Sequence, residues 1–189
     1  TDTDTDTDTD TDGEPPPPAT DPRQRITIAR RVGPGWALIT LFVEMPVTAA
    51  GIAPDSLNAM LLHDKDPEDA TGAPWSYSLL DLSPAFPVKK RQTVEAKPEP
   101  ILFTPNGDRA AVLLRDEQQD VRRVDLVNLR NFIVRGLQLG SLPEGAGYVD
   151  VTKKIFVSQT HPTGRITFID ADGMVQTVTG YELNDSVKD

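Results

Sequence analysis

Three aspartates recur in one local context in this chain. Leu80-Asp81, Val124-Asp125 and Ile169-Asp170 each close a short apolar run, and the aspartates lie 44 and 45 residues apart. A carboxylate repeated at one structural place points first to repeated geometry, with each side chain accepting bonds from backbone donors in the turn that follows. A shared metal or ligand site is the alternative. Two histidines, His63 and His161, are the other candidates for proton transfer or metal binding. Zinc needs three or four convergent ligands, so a histidine pair alone points to loop residues rather than to a metal centre. Asp64, Asp66, Glu68 and Asp69 form an acidic loop that lacks the 12-residue pattern of a calcium site. Trp75 and Tyr77 follow it, and aromatics beside a long loop are enriched at binding surfaces. Glu95 and Glu99 flank a proline-rich connector, where charge ordinarily serves solvation.

Composition removes several chemistries. With no cysteine there is no disulfide, thiolate nucleophile or cysteine-ligated zinc. No nucleophile elbow, P-loop or dinucleotide fingerprint occurs, so neither a catalytic residue nor a cofactor is expected. The formal net charge is −10, but residues 1–21 hold eight acids and no base, and removing those acids takes it to −2. A nearly neutral body without a basic patch argues against nucleic acid. No run approaches the ~18 apolar residues of a membrane span, and no signal peptide is evident, which predicts a cytoplasmic, processed or trimmed chain.

The elements that must position these residues are short strands. Six Thr-Asp repeats and Pro15–Pro18 open the chain, a composition that predicts a disordered acidic tether over 1–21. Arg25–Ala29 alternates like a strand, Gly33-Pro34-Gly35 is a turn, and the eight-residue apolar run Trp36–Val43 reads as a buried strand. From Ala50 the chain repeats. Asn58–Leu62, Ala110–Leu114 and Lys154–Ser158 occupy one place, each after a turn. Val88–Val94, Phe132–Leu139 and Val175–Leu183 close the three units. Four strands in about 45 residues is a propeller period. Asn106-Gly107 is the strongest hairpin signal, since both residues tolerate positive φ.

Phe103-Thr-Pro-Asn-Gly-Asp-Arg-Ala-Ala-Val followed by Val124-Asp-Leu resembles the repeat of YVTN/WD40-like bacterial β-propellers. Lys154-Ile-Phe-Val and Phe168-Ile-Asp match the same pattern. The resemblance covers about residues 50–183. It departs from the family at Val112–Arg115, where the eponymous tetrapeptide is replaced, and at the insertion Lys65–Pro74. The Thr/Asp/Pro tract is similar to the spacer of bacterial surface lipoproteins, although no lipid-bearing cysteine is present.

The expected fold is all-β: a partial β-propeller of about three four-stranded blades (50–97, 98–140 and 141–185) plus a strand pair, behind a disordered acidic tail. A small β-sandwich with three coincidental hairpin pairs is the competing architecture. The expected function is a non-enzymatic binding or scaffolding module, extracytoplasmic and tethered to a cell envelope or surface. The rival is a fragment of an extracytoplasmic propeller enzyme whose catalytic residues lie elsewhere. The loop between second and third strands shares a face with the inter-blade connectors, and long loops on a rigid sheet carry binding residues. That face is the expected contact for a protein or surface polymer, with Trp75 as anchor and His63 and His161 at its periphery. Self-association through open strand edges is expected if the ring is incomplete, and a lipid anchor upstream would fix the tether.

Overall fold

A computed structural model describes residues 24–65, 74–83 and 87–180. The Thr-Asp tether, most of the acidic insertion and the end of the last expected strand lie outside the described residues.

All regular structure there is antiparallel sheet. Strands β1 (Gln24–Val32) and β2 (Gly35–Val43) form a hairpin. Its two-residue turn places Gly33 at φ 57 ahead of Pro34, an order that suits the twist of the flanking strands. Three four-stranded meanders follow, the blades of a partial β-propeller. The first blade is β3 (Val47–Ile52), β4 (Asn58–His63), β5 (Trp75–Asp81) and β6 (Val88–Val94). The second is β7 (Pro98–Phe103), β8 (Arg109–Asp116), β9 (Val121–Asn128) and β10 (Ile133–Gln138). The third is β11 (Pro143–Val149), β12 (Lys154–Gln159), β13 (Arg165–Ile169) and β14 (Val175–Thr179).

The sheets stack face on face, and their cores alternate with them. Ile26, Ile28 and Leu41 of the hairpin pack against Leu61, Leu80 and Leu82 of blade 1. The opposite face of blade 1, with Met60, Leu62, Tyr77 and Leu79, meets Val112, Leu114 and Val127 of blade 2. Leu113 and Val124 on the far face of blade 2 meet Ile155, Val157 and Ile169 of blade 3. A strand covered on both faces buries its side chains on both sides and is mostly apolar. Accordingly every residue of β4 is buried, as is the run Ala110–Leu114 of β8. Strand β12 alternates buried and half-buried, because among the described residues only one face of blade 3 is covered by another sheet.

Three sequence expectations change. The Trp36–Val43 run is a strand but not a buried one, since Trp36 is 68 % and Leu38 70 % exposed. Period two sends these residues to the hairpin face turned away from blade 1. At Asn106-Gly107 only Gly107 has positive φ (72°), and the turn closes with Gly107 N donating to Thr104 O at 2.9 Å. Asp125 does not occupy the place of Asp81 and Asp170. Register pairs Asn58 with Asp81 and Arg109 with Asn128, so Asn128 is the equivalent residue in blade 2 and Asp125 lies three positions inside the strand.

Candidate functional site

The end-of-strand positions are turn caps. Asp81 Oδ1 accepts from Ser83 N at 2.9 Å, Asn128 Oδ1 from Arg130 N at 3.0 Å, and Asp170 Oδ1 from Asp172 N at 3.0 Å. Each is an Asx turn, which explains the recurrence without a ligand. Among the described residues no group of three or more His, Asp or Glu could hold a metal ion.

Asp125 belongs to a different structure. It is fully buried between blades 1 and 2, accepting from Tyr77 OH at 2.9 Å and from Arg123 Nε at 2.6 Å. Arg123 also reaches Glu95, in the connector between the blades, at 3.2 Å. Burial raises the Tyr77 phenol far above its usual range, and the Asp125 carboxylate raises it further. Tyr77 is therefore a neutral donor to a charged acceptor, and the network bolts two sheets together.

Trp75 stands at the start of β5, where the chain re-enters the sheet after the insertion. The side chain is half-buried and packs on the core between blades 1 and 2. The Lys65 ammonium lies 5.1 Å from the ring centroid and that of Lys97 5.8 Å, both within cation–π range. Lys65 borders the insertion and Lys97 sits in the inter-blade connector, so loop, connector and strand end meet at this aromatic. The result is a rigid ring flanked by two exposed cations, suited to an apolar or aromatic group with an anionic neighbour.

The histidines do not join it. His63 is only 2 % exposed and faces the hairpin, on the opposite side of its sheet from Trp75. It is not a surface loop residue. Its Nε2 bonds Ser78 Oγ at 2.8 Å, and burial lowers its pKa below 6.5. The backbone of Pro46 and Met45 partly offsets that lowering, although Nδ1 has no aligned hydrogen-bond partner. His161, half-buried, holds the Thr163 hydroxyl at 3.0 Å in its own loop. It borders a hollow of about 320 Å³ between blades 2 and 3, with Asp120, Arg122, Ser141 and Thr160. Trp75 and His161 thus share the end of the molecule formed by the second-to-third-strand loops but belong to separate sites.

No family model and no curated protein matches the chain. Solved structures do. A candidate 6-phosphogluconolactonase from Bacteroides uniformis is 12 % identical with a TM-score of 0.51, over 84 % of this chain and 49 % of that one. The hydrazine synthase of Kuenenia stuttgartiensis is 17 % identical with a TM-score of 0.49, over 70 % of this chain and 42 % of that one. The chain spans less than half the length of these solved chains. The similarity to the Bacteroides uniformis chain supports the propeller architecture and transfers no activity.

Lys65 and Lys97 beside Trp75, and the Tyr77–Asp125–Arg123 network, escaped the sequence reading. The one available signal was Asp125 itself. An acid flanked by Val124 and Leu126 and followed by Val127 sits too deep in an apolar run for a turn cap.

Proposed function

We propose that this chain is a non-catalytic binding module, with its partner docking at the strand-loop end around Trp75. The observation that carries this reading is the mounting of that ring. It is half-buried, packed on the core, and carries the exposed Lys65 and Lys97 ammonium groups over it. Aromatic side chains fixed in this way lose little conformational entropy on binding and dominate contact energies where they occur. Two ammonium groups beside the ring select an acidic partner, a protein segment or an anionic surface polymer, because unlike charges at an interface both speed encounter and orient it.

Several polar groups singled out in the sequence are already engaged within the fold. Asp81, Asn128 and Asp170 are occupied by turns, Asp125 by the inter-blade network, and His63 by Ser78 inside the sheet stack. None presents an activated nucleophile or a general base to solvent. In this reading the Thr-Asp and proline tract is the tether that holds the module off a cell envelope or surface, since its composition gives reach without a core.

Trp36 and Trp75 are the only tryptophans, so Trp36→Phe leaves Trp75 as sole reporter. Polyglutamate and a sulfated polysaccharide titrated into that variant are expected to shift its emission saturably. The shift should weaken with added salt and disappear in Lys65→Ala/Lys97→Ala. Emission unchanged by either polymer at low ionic strength overturns the reading.

A further inference from the structure

We propose that a second hollow between blades 2 and 3, at the opposite end of the molecule from the one that His161 borders, binds a small carboxylate with a compact apolar body.

The hollow exists because one side chain is small. Asp81, Asn128 and Asp170 cap equivalent turns, so Leu82, Leu129 and Ala171 hold one place. Leu82 is buried in the core between the hairpin and blade 1, and Leu129 in the core between blades 1 and 2. Each closes its core toward the preceding sheet. Ala171 is exposed and lacks the side chain to do so, and the gap between blades 2 and 3 stays open beside it. What remains is a hollow of about 140 Å³. Its walls are apolar, with Leu126 and Ile133 from blade 2 and Ile155 from blade 3. An apolar cavity of about 150 Å³ holds one benzene, so this space admits one ring or a branched chain of similar bulk.

The rim adds charge. Register puts Arg109 and Arg135 on the face of blade 2 that meets blade 3, and both line the hollow. Arg109 Nη1 donates to Ala171 O, and Arg135 Nη1 donates to Asp172 O at 3.1 Å. The Arg135 guanidinium lies over Gly173, where a Cβ would stand 2.5 Å from Nη1, so the glycine makes room for it. Among the described residues neither guanidinium forms an ion pair. Asp170, in the same turn, is engaged elsewhere: its Oδ1 accepts from Asp172 N at 3.0 Å and from Met174 N at 2.8 Å. Each guanidinium has more N–H donors than the one it spends on a carbonyl. The carbonyls therefore fix both forks without neutralising them. The gap between blades 1 and 2 lacks this arrangement, because the same two places hold Asn58 and Lys90 and Leu129 fills the space. A fixed guanidinium beside an apolar hollow selects a planar anion, since a carboxylate can take two parallel N–H bonds from the fork while its body enters the hollow. The site lies at the end of the molecule away from Trp75 and does not depend on it.

Benzoate is the probe. Titrated into the full chain and followed by amide shifts in two-dimensional NMR, it is expected to saturate with a dissociation constant on the order of millimolar or below. The largest shifts should fall at Ala171, Asp172 and Gly173. Benzamide has the same shape without the charge and should bind about tenfold more weakly, as should benzoate to Arg135→Gln. Ala171→Leu supplies the side chain that Leu82 and Leu129 supply. It should melt no lower than wild type and lose benzoate binding. Equal affinity for benzamide and benzoate overturns recognition by charge. Binding retained in folded Ala171→Leu, or shifts largest at the Trp75 indole, overturns the location. A linear response that never saturates overturns the site itself. If Ala171→Leu does not fold, Arg135→Gln decides, and unchanged affinity there overturns the proposal.

Discussion

Blade 2 and its two neighbours handle the same buried position in opposite ways. Three residues before each Asx turn, the third strand carries a polar residue facing the preceding sheet: Ser78, Asp125 and Thr167, all buried. In blades 1 and 3 a partner lies diagonally across on the second strand. His63 Nε2 meets Ser78 Oγ at 2.8 Å, and Gln159 Nε2 donates to Thr167 Oγ1 at 2.6 Å. In blade 2 that partner position is Leu114, which has nothing to offer. Asp125 instead takes the Tyr77 hydroxyl from blade 1 and the Arg123 guanidinium from its own strand. A buried polar group must be satisfied somewhere. When its own sheet cannot do so, satisfaction moves to the neighbouring sheet, and a bond internal to one blade becomes a bond between two. There the propeller stack gains a buried, direction-dependent lock beyond apolar packing, whereas the other bonds between blades lie at the surface, such as Arg135 Nη1 donating to Asp172 O and Lys90 Nζ donating to Phe132 O.

The sharpest way to break this contrast is Asp125→Ala. It strands a buried tyrosine hydroxyl and leaves Arg123 with Glu95 alone. Removing one member of a buried charged network costs about 3–5 kcal/mol, and partial exposure of Arg123 places this variant near 3. Thr167→Ala in blade 3 should cost about 1 kcal/mol, as loss of a neutral bond does. Urea unfolding compares the two, and equal losses would remove the distinction between inter-blade and intra-blade satisfaction.

Tyr77→Phe should cost about 1–2 kcal/mol, because Asp125 keeps Arg123. Combined with Asp125→Ala it should add little, the two residues acting as one unit. The pH dependence has a definite sign. The folded phenol titrates above the unfolded value of 10.0. The stability it contributes is therefore complete below pH 10 and is lost as pH rises above it, where the unfolded chain releases a proton that the folded chain retains. Wild-type protein should lose stability above pH 10 more steeply than Tyr77→Phe.

The first-to-second-strand turns offer a smaller contrast. Gly107 in blade 2 and Ser56 in blade 1 hold the same place, with φ of 72° and 60°. A Cβ on Gly107 would stand 2.5 Å from the Asp55 side chain of the neighbouring blade. Gly107→Val should cost about 1–3 kcal/mol from backbone strain and that overlap. Ser56→Gly relieves the same strain and should leave stability unchanged or raise it by up to about 1 kcal/mol. Thermal melts of both decide whether close approach to Asp55 sets glycine at one turn and not the other.

Much of this architecture was legible because local rules and tertiary outcome agree. Turns at Pro54-Asp55-Ser56 and Pro105–Asp108 recur 51 residues apart, each before an apolar second strand, and the Asx caps at Asp81 and Asp170 lie 89 residues apart, two periods near 45. The failures came where three-dimensional placement decides the role of a residue. Apolar Trp36 and Leu38 imply burial in any one-dimensional reading, and only the stacking order reveals that the hairpin closes one end of the arc. Asp125 follows a valine as Asp81 follows a leucine, so local sequence grouped them; register separates them by three positions, and three positions reverse the face. His63 closes an apolar strand beside an acidic loop, which reads as a surface residue. The hairpin and the Pro46 segment bury it. Trp75 was legible as an aromatic beside a loop, but Lys97, 22 residues away, was not, because the connector returns to the ring only after β5 and β6 are laid down.

The smallest expected effect is the most specific. His63 and Gln159 play the same part in blades 1 and 3, but only the histidine can titrate. Its folded pKa lies below the unfolded 6.5, first because burial disfavours the cation and then because Arg91 and Lys89 repel it. The stability tied to neutral His63 is complete above pH 6.5. It declines as pH falls below that value, where the unfolded chain takes up a proton that the folded chain resists. His63→Gln supplies an uncharged donor for Ser78, as Gln159 does for Thr167. At pH 7.5 the substitution should change stability by less than about 1 kcal/mol. Between pH 6.5 and 5, before the carboxylates protonate, the variant should lose less stability than wild type. Urea midpoints across that range provide the measurement. Parallel pH profiles would show that His63 is already free to accept a proton in the folded state, and that the hairpin does not seal this position as Gln159 is sealed between blades 2 and 3.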